Sequence, residues 1–552
     1  MFAENRKAEQ RKLFTIENDM NKRLKKKLEK HWSGIFFRNV FLKIDEHAFS
    51  ALYSQNNGRP NFPVNILVSL EILKEMLNLT DEQLFERFSF DVAFRRAMGI
   101  EDFSEYAMAE KTLYNFRAAL WEYEHEHGEN LMEPVFRLLR DDLIKELGIK
   151  TGTQRIDSTL IGANIKKMGR LMLFHKTLSN LVRDMKEEGI EISKNIEEVV
   201  REDEDHFTYR MARSEYTAAT QKIALYLYRL TASHQGDRRI CEKESYRTAE
   251  RLLKEQCDIT RKKKVLLKEA EKISSSSLQN PSDVDATYRR KNGEGHQGYA
   301  VHAVETCDEG NPLQVVMDVE LTANNVDDAA VLAPAIKEYR EANGLDTLIS
   351  DGGFVSDAVR MECAIHGVNL VSTAIRGRAP DESPRLTYQD FLCDTHTGEI
   401  LLCPAGKKPR STYVSDTTSV ANFDPALCAR CKKQHICPAV VSSTQSRYVI
   451  DAHRRWLDER YTLMKTDEYQ KLCKLRPPVE GLMSQLKGKY LKGRTVFRGR
   501  IKVKNRMILR AIGINFRRYW AYWLNNFFFT IENCIKFRVF FALSIKFCHV
   551  QV

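Results

Sequence analysis

Residues 151–164 read TGTQRIDSTLIGAN and residues 345–354 read LDTLISDGGF. The first stretch is crowded with Thr and Ile and has little helical periodicity, so it reads as a strand carrying Asp157; β-branched side chains suit a pleated surface. The second is a short strand that ends at Asp351 and runs into Gly352-Gly353. Between them, GYAVHAVET (298–306) and PLQVVMDVELTA (312–323), joined by the turn residues DEGN, carry a hairpin signal. DDAAVLAPAIKEYREANG (327–344) follows as a helix closed by Gly344. Strand, two hairpin strands, helix and strand in that order predict an α/β fold, a mixed sheet flanked by helices.

Working outward, residues 1–150 read as mainly helical. Apolar residues fall at helical spacing in VNILVSLEILKEMLNL (64–79) and TLYNFRAALWEY (112–123), and Thr80 before Glu82 and Gln83 is a helix start. Short helices of this kind build helix-turn-helix modules, so 1–150 is expected to be a helical DNA-binding domain. The sheet core occupies 151–169 and 279–386. It is interrupted by a charged helical insertion at 170–278 that ends near the Ser run 274–277. A cysteine-bearing, strand-poor insertion spans 387–450, the last part of the core with a basic helix spans 451–525, and an aromatic tail spans 526–552.

The length of 552 residues exceeds what one hydrophobic core fills, so several units are expected. A composition 43% hydrophobic and 29% charged describes a soluble globular chain. The aromatic tail is interrupted by Glu532, Lys536, Arg538 and Lys546 before it reaches spanning length, which excludes a membrane partner at this stage. No secretory pattern opens the chain, so a cytoplasmic, nucleoid-associated location is expected, and twelve cysteines are then thiols or metal ligands rather than a disulfide framework. The net charge of +11 favours a polyanion, and its distribution says more: from Gly481 to Ile531 there are twelve Lys or Arg and no acid. Nucleic acid is the expected partner of that stretch.

Three acids stand out as candidates for chemistry. Asp351 lies at a strand end, the edge where open sheets place ligands, and Asp157 lies within its strand. Either alone is more often a turn or cap residue. Glu480 is more informative: in RPPVEGLMSQLKGKY (476–490) the two prolines fix a helix start and leave Glu480 in its first turn. Lys487 is seven residues on, about 10 Å along the same helix face at a rise of about 1.5 Å per residue. Carboxylates from separate elements are the hard oxygen ligands with which a pair of divalent ions about 4 Å apart is held for phosphoryl transfer.

Together these residues resemble the DDE transposases of bacterial insertion sequences. In that class the last acid lies in the pattern Tyr-x2-Arg-x3-Glu-x6-Lys, which Arg476, Glu480 and Lys487 match; Cys473 stands where the tyrosine would be. RIDSTL resembles the family's first-Asp strand, SDGGF its second-Asp segment and FRGRIKVKNRMILRAIGINFRR its basic block. RPNFPVNILVSLEILKEMLNLTDEQLFERF followed by TLYNFRAAL resembles its helical N-terminal domain. The likeness covers most of residues 55–525 and is nearest to the group numbered eleven-eighty-two. It implies a ribonuclease-H-like core, catalysis by Asp157, Asp351 and Glu480, and two Mg²⁺ or Mn²⁺ ions held by those acids. It also implies cleavage of element ends with strand transfer into target DNA. DNA contacts are expected from Arg476, Lys487, Lys489, Arg494, Arg498 and Arg500. Arg476 precedes a proline and is pushed out of helical geometry, so it either reaches phosphate or caps the turn. Joining two ends calls for a homodimer. The rival readings are a nuclease that cuts without joining and an inactive or domesticated DNA-binding protein.

Cys403, Cys428, Cys431 and Cys437 give C-x24-C-x2-C-x5-C, with Cys393 and His435 as substitutes. A C-x2-C pair with two further thiolates suits a structural Zn²⁺ with no open position for catalysis; the competing reading is a set of buried thiols.

Overall fold

The structure is a computed structural model. It describes every residue except 6–14, 55, 56, 104, 203, 210, 375–385, 489–492 and 549–552, with backbone alone for 204, 452, 453 and 527–548. The chain is mixed α/β and divides into two compact units. The first comprises Met1–Val331, Glu341–Gly344 and Val479–Val552, and the second Leu332–Arg340 and Leu345–Pro478.

In the first unit the Asp157 strand, Thr153–Gly162, pairs antiparallel with a long strand, Glu294–Thr306, placing Asp157 opposite Ala303 and Ser158 opposite His302. The other edge of the long strand pairs with Thr287–Lys291 along its start and with Val316–Ala323 along the rest. The expected hairpin is therefore present, and a second one precedes it. Its signal is Asn292-Gly293, both at positive φ (52° and 82°), which is the requirement of a tight two-residue hairpin turn. Gly162 and Gly298 face each other where the long ladder ends. At Gly298, with φ of 147°, a Cβ would lie 2.2 Å from the Ile161 carbonyl oxygen, so only glycine permits this approach.

The helix Val64–Leu77 is buried from Val64 to Met76, charged residues included. Glu71 is paired with Arg117 (2.8 Å) and Lys74 with Asp81 (2.7 Å). Thr80 and Gln83 form the capping box that opens the next helix, Asp81–Phe90. The C-terminal helix, whose backbone runs from Arg500 to Cys548, packs on the Val64–Leu77 helix, on Met132–Leu147 and on the strand Val316–Ala323. Its near approach to the first of these depends on Gly513, where a Cβ would stand 2.9 Å from the Met76 Cα. The aromatic tail read from 526 onward has its side chains outside the described residues from 527. The helices Arg170–Glu187, Tyr216–Ser233 and Glu244–Gln256 share a core of their own that includes Phe174, Leu178, Leu227 and Leu252.

In the second unit, Thr347–Ser350 and Asn369–Ser372 pair in parallel and are joined through the helix Asp357–Ile365. The cysteine-bearing segment is not strand-poor as expected. It holds a ribbon of Leu392–Cys393 with Ile400–Leu402, and a sheet ordered Ser411–Val414, Ser419–Phe423, Ser446–Ile450, Val440–Val441. The strands are two to five residues long, too short for alternation to be legible. Phe391, Ile400, Phe423 and Tyr448 form their core.

Candidate active site

Each acid is set by local structure before any tertiary contact. Asp157 is 8% exposed on its strand, and its Oδ1 accepts the Ser158 N–H at 2.8 Å. In the same unit, the helix Val479–Lys487 packs on that strand through Val479, Leu482, Met483 and Leu486. Glu480 and Lys487 are exposed and lie one above the other on the flank of that buried face, as their spacing predicts.

The end of this helix is held by two distant elements. Arg510 donates to the carbonyls of Leu486 (2.7 Å) and Gln485 (3.4 Å), and its Nε donates to Glu75 at 2.8 Å. A cation on the last carbonyls of a helix satisfies orphan acceptors and opposes the negative end of its dipole. Arg506 donates to the same Glu75 oxygen at 3.0 Å. Burial alone would raise the Glu75 carboxyl; the guanidiniums of Arg506 and Arg510 outweigh it and hold it below the ordinary carboxylate range.

In the second unit, Asp351 ends the strand Thr347–Ser350 and caps the next turn, its Oδ1 accepting from Gly353 N–H at 2.8 Å. Its Oδ2 lies 3.6 Å from an Arg476 nitrogen, a pairing that is neither of the two roles expected for Arg476, phosphate contact or turn cap.

The basic stretch divides. Lys487, Arg494, Arg498 and Arg500 are exposed or half-buried at the surface. Arg498 donates to the Asn164 carbonyl (2.9 Å), and the Arg500 backbone N–H donates to Asp285 (2.9 Å). Lys489 lies outside the described residues. Beyond Arg500, Lys504 pairs with Glu133 (2.7 Å) and Glu320 (3.3 Å), and Arg518 with Glu305 (2.8 Å). Arg517 donates to the Met76 carbonyl at 2.5 Å. Reading all twelve cations as a nucleic-acid surface is therefore corrected: Lys504, Arg506, Arg510, Arg517 and Arg518 tie the C-terminal helix to the protein interior. A charge count has no access to these partners, which lie far off in sequence.

Sequence reading also missed a cavity of about 530 Å³ in the first unit, lined by Ser158 through Ala163, by the Asn292 hairpin, and by Lys487 and Arg494. The chain beside Arg494 is pinned to the end of the Asp157 strand: the Gly162 N–H donates to Gly493 O (2.8 Å) and Thr495 N–H to Gly162 O (2.9 Å). The missed signal was again Asn292-Gly293.

Cys403, Cys428, Cys431 and Cys437 line one small hollow of the second unit, and Cys393 packs on the neighbouring core. The Lys407 backbone N–H lies 3.4 Å from Cys403 Sγ as a donor. Burial first, then the neighbouring thiols, push the Cys428 and Cys437 thiols up, with the Ser446 hydroxyl opposing this at Cys428. Cys257, Cys307 and Cys363 are buried thiols, as expected. Among the described residues no group of three or more His, Cys, Asp or Glu is arranged to hold a metal ion, and no helix is long and apolar enough to cross a membrane.

With this geometry in place, two family matches bear on what the chain is. Residues 402–520 match the family described as Transposase DDE domain, and residues 22–119 match the one described as Transposase domain (DUF772). No curated protein and no solved structure matches the chain. The two matches indicate a DNA transposase of the DDE type, a class of enzyme that acts on DNA and generally uses divalent metal ions. The DDE match takes in the four cysteines, Arg476, Glu480, Lys487 and the basic stretch, and begins after Asp157 and Asp351.

Proposed function

We propose that this chain cuts the ends of an insertion sequence and joins them to target DNA, with Asp157, Asp351 and Glu480 as its catalytic carboxylates on a ribonuclease-H-like core. The observation that carries the reading is Glu480: it lies inside the DDE match, in the exposed first turn of a helix whose buried face rests on the Asp157 strand. The three acids offer only carboxylate oxygens, a donor set suited to Mg²⁺ or Mn²⁺ and poor for softer metals. Asp157, Asp351 and Glu480 would hold two such ions, which when bound supply nucleophile activation and leaving-group stabilisation for in-line phosphoryl transfer. The chain's own part is to fix those oxygens and to hold the DNA. Lys487, on the Glu480 helix, and the surface residues Arg494, Arg498 and Arg500 would neutralise backbone phosphates. Arg476, 3.6 Å from Asp351, would orient that carboxylate.

In the same proposal the four cysteines bind one structural Zn²⁺, a reading supported by the hollow they share. Two chains act on two ends. By its motifs the chain is proposed to belong with the group numbered eleven-eighty-two.

The test is incubation of the purified chain with labelled element ends, uncut and pre-cut, and a target plasmid in Mg²⁺ or in EDTA. Joined product in Mg²⁺ alone is expected. Cleavage of uncut ends without joining would leave a nuclease, and binding with neither reaction would leave a DNA-binding protein, a reading to which Cys473 in the tyrosine position gives some weight. Sedimentation showing one chain per two ends would remove the dimer.

A further inference from the structure

We propose that the cavity beside the Glu480 helix is a binding site for a short single-stranded DNA segment, gripped by Lys167 and Lys291 in addition to Lys487 and Arg494. The proposal rests on the transposase reading for its choice of DNA as the polyanion. Among the described residues four cations line the cavity, Lys167, Lys291, Lys487 and Arg494, against one acid, Glu294. The four come from three separate segments of chain, so the positive field is built by the fold rather than by a run of sequence.

Size favours one strand over a duplex. About 530 Å³ is the scale of a site that encloses a nucleotide-sized ligand, within the roughly 300–1,000 Å³ typical of small-molecule pockets. A duplex meets a protein along its grooves and keeps its pairing edges covered.

The wall chemistry points the same way. Asn292 and His296 line the wall and carry amide and imidazole groups able to bond base edges. Gln297 is turned to Gln279, to which it donates at 3.0 Å. The wall is also preformed. Asn324 donates to the His296 carbonyl (3.0 Å) and accepts from Thr287 (2.8 Å), fixing the hairpin base, and Lys167 Nζ lies 3.4 Å from the Gly295 carbonyl. Gly162, without a side chain, leaves room for Arg494, whose Cγ would stand 3.1 Å from a Cβ at that position. Ser158, next in sequence to Asp157, lines the cavity, as does Lys487 of the Glu480 helix. A strand held here would run from the cavity past the Glu480 helix.

The experiment measures binding of a fluorescein-labelled eight-nucleotide oligothymidylate to the full chain in EDTA by anisotropy, across a salt series. K167E/K291E is expected to bind at least tenfold more weakly, with the slope of log affinity against log salt reduced by about 0.7 for each phosphate no longer neutralised. K167R/K291R is expected to bind as the natural chain does. Unchanged binding and slope in K167E/K291E would overturn the proposal. So would equal competition, per mole, by thymidine monophosphate or pyrophosphate, which would make the cavity a small-anion site, or by a duplex of the same length. Because metal is absent, the outcome is separable from the transposase reading. Normal oligonucleotide binding with no cleavage in Mg²⁺ removes that reading alone, and normal cleavage with unaltered K167E/K291E binding removes the cavity proposal alone.

Discussion

Two halves of one basic stretch meet opposite fates. From Lys487 to Arg500 the described cations stay at the surface, whereas Arg506 and Arg510 are 7% and 4% exposed and share the buried Glu75 carboxylate. Nothing in the local composition separates the two: both are rich in Lys and Arg and free of acids. What separates them is a partner more than four hundred residues upstream. Exposed cations add to a field that DNA can use; buried ones hold the C-terminal helix on the Val64–Leu77 helix and, through Arg510, hold the end of the helix that carries Glu480. A charge run is therefore a statement about a surface only after packing has removed its members.

The sharpest way to break this contrast is at Glu75. Glu75→Ala leaves two guanidiniums buried without their counter-charge and is expected to cost about 3–5 kcal/mol in urea unfolding. A cost under about 1 kcal/mol would mean that the pair is not the clamp described. Next comes Gly513→Val, which forces a Cβ against the Met76 backbone; a loss of about 1–3 kcal/mol is expected, as for other overpacked sites. The pH dependence sharpens the same point. The Glu75 carboxyl is held below its ordinary range, so its contribution is fully present above the unfolded value of about 4.3 and is lost as pH falls through the lower folded value. Acid melts should therefore fall more steeply for the natural chain than for Glu75→Gln; parallel curves would contradict the assignment. The smallest effect on stability belongs to the surface half: Arg494→Ala, Arg498→Ala and Arg500→Ala should each shift stability by less than about 0.5 kcal/mol. Each should nevertheless lower the salt slope of duplex DNA binding by about one. A stability loss like that of Glu75→Ala would erase the distinction.

The same contrast separates what was legible in the sequence from what was not. The Asp157 strand, the hairpin that follows it, the strand ending at Asp351 and the helix start at Pro477-Pro478 each carry their signal within a short run of neighbours. All are found where they were expected. The capping box at Thr80 belongs with them. The second hairpin was equally local and was passed over, because TYRRKNGEGHQ (287–297) looks like charged loop unless Asn292-Gly293 is taken as a turn. The short strands around the cysteines lack the length for alternation to speak. The proposed site was legible as three acids and a lysine. Its cavity and the Glu75–Arg510 support were not, since each is assembled from segments far apart in the chain and no periodicity reports such meetings.

Asp157, Asp351 and Glu480 are proposed to carry the chemistry while the surface cations carry the binding. The most direct measurement of that division is Mg²⁺-dependent cleavage and joining of labelled element ends by the natural chain beside Asp157→Ala, Asp351→Ala and Glu480→Ala, with DNA affinity measured separately in EDTA. Product is expected from the natural chain, with a loss of about a hundredfold or more in every substituted chain, since altering even the outer partners of a metal ligand costs roughly 10–100-fold, and with affinities that stay together. Activity near that of the natural chain in any one variant would remove that residue from the site, and a folded, DNA-bound natural chain inert in both Mg²⁺ and Mn²⁺ would contradict the claim as a whole.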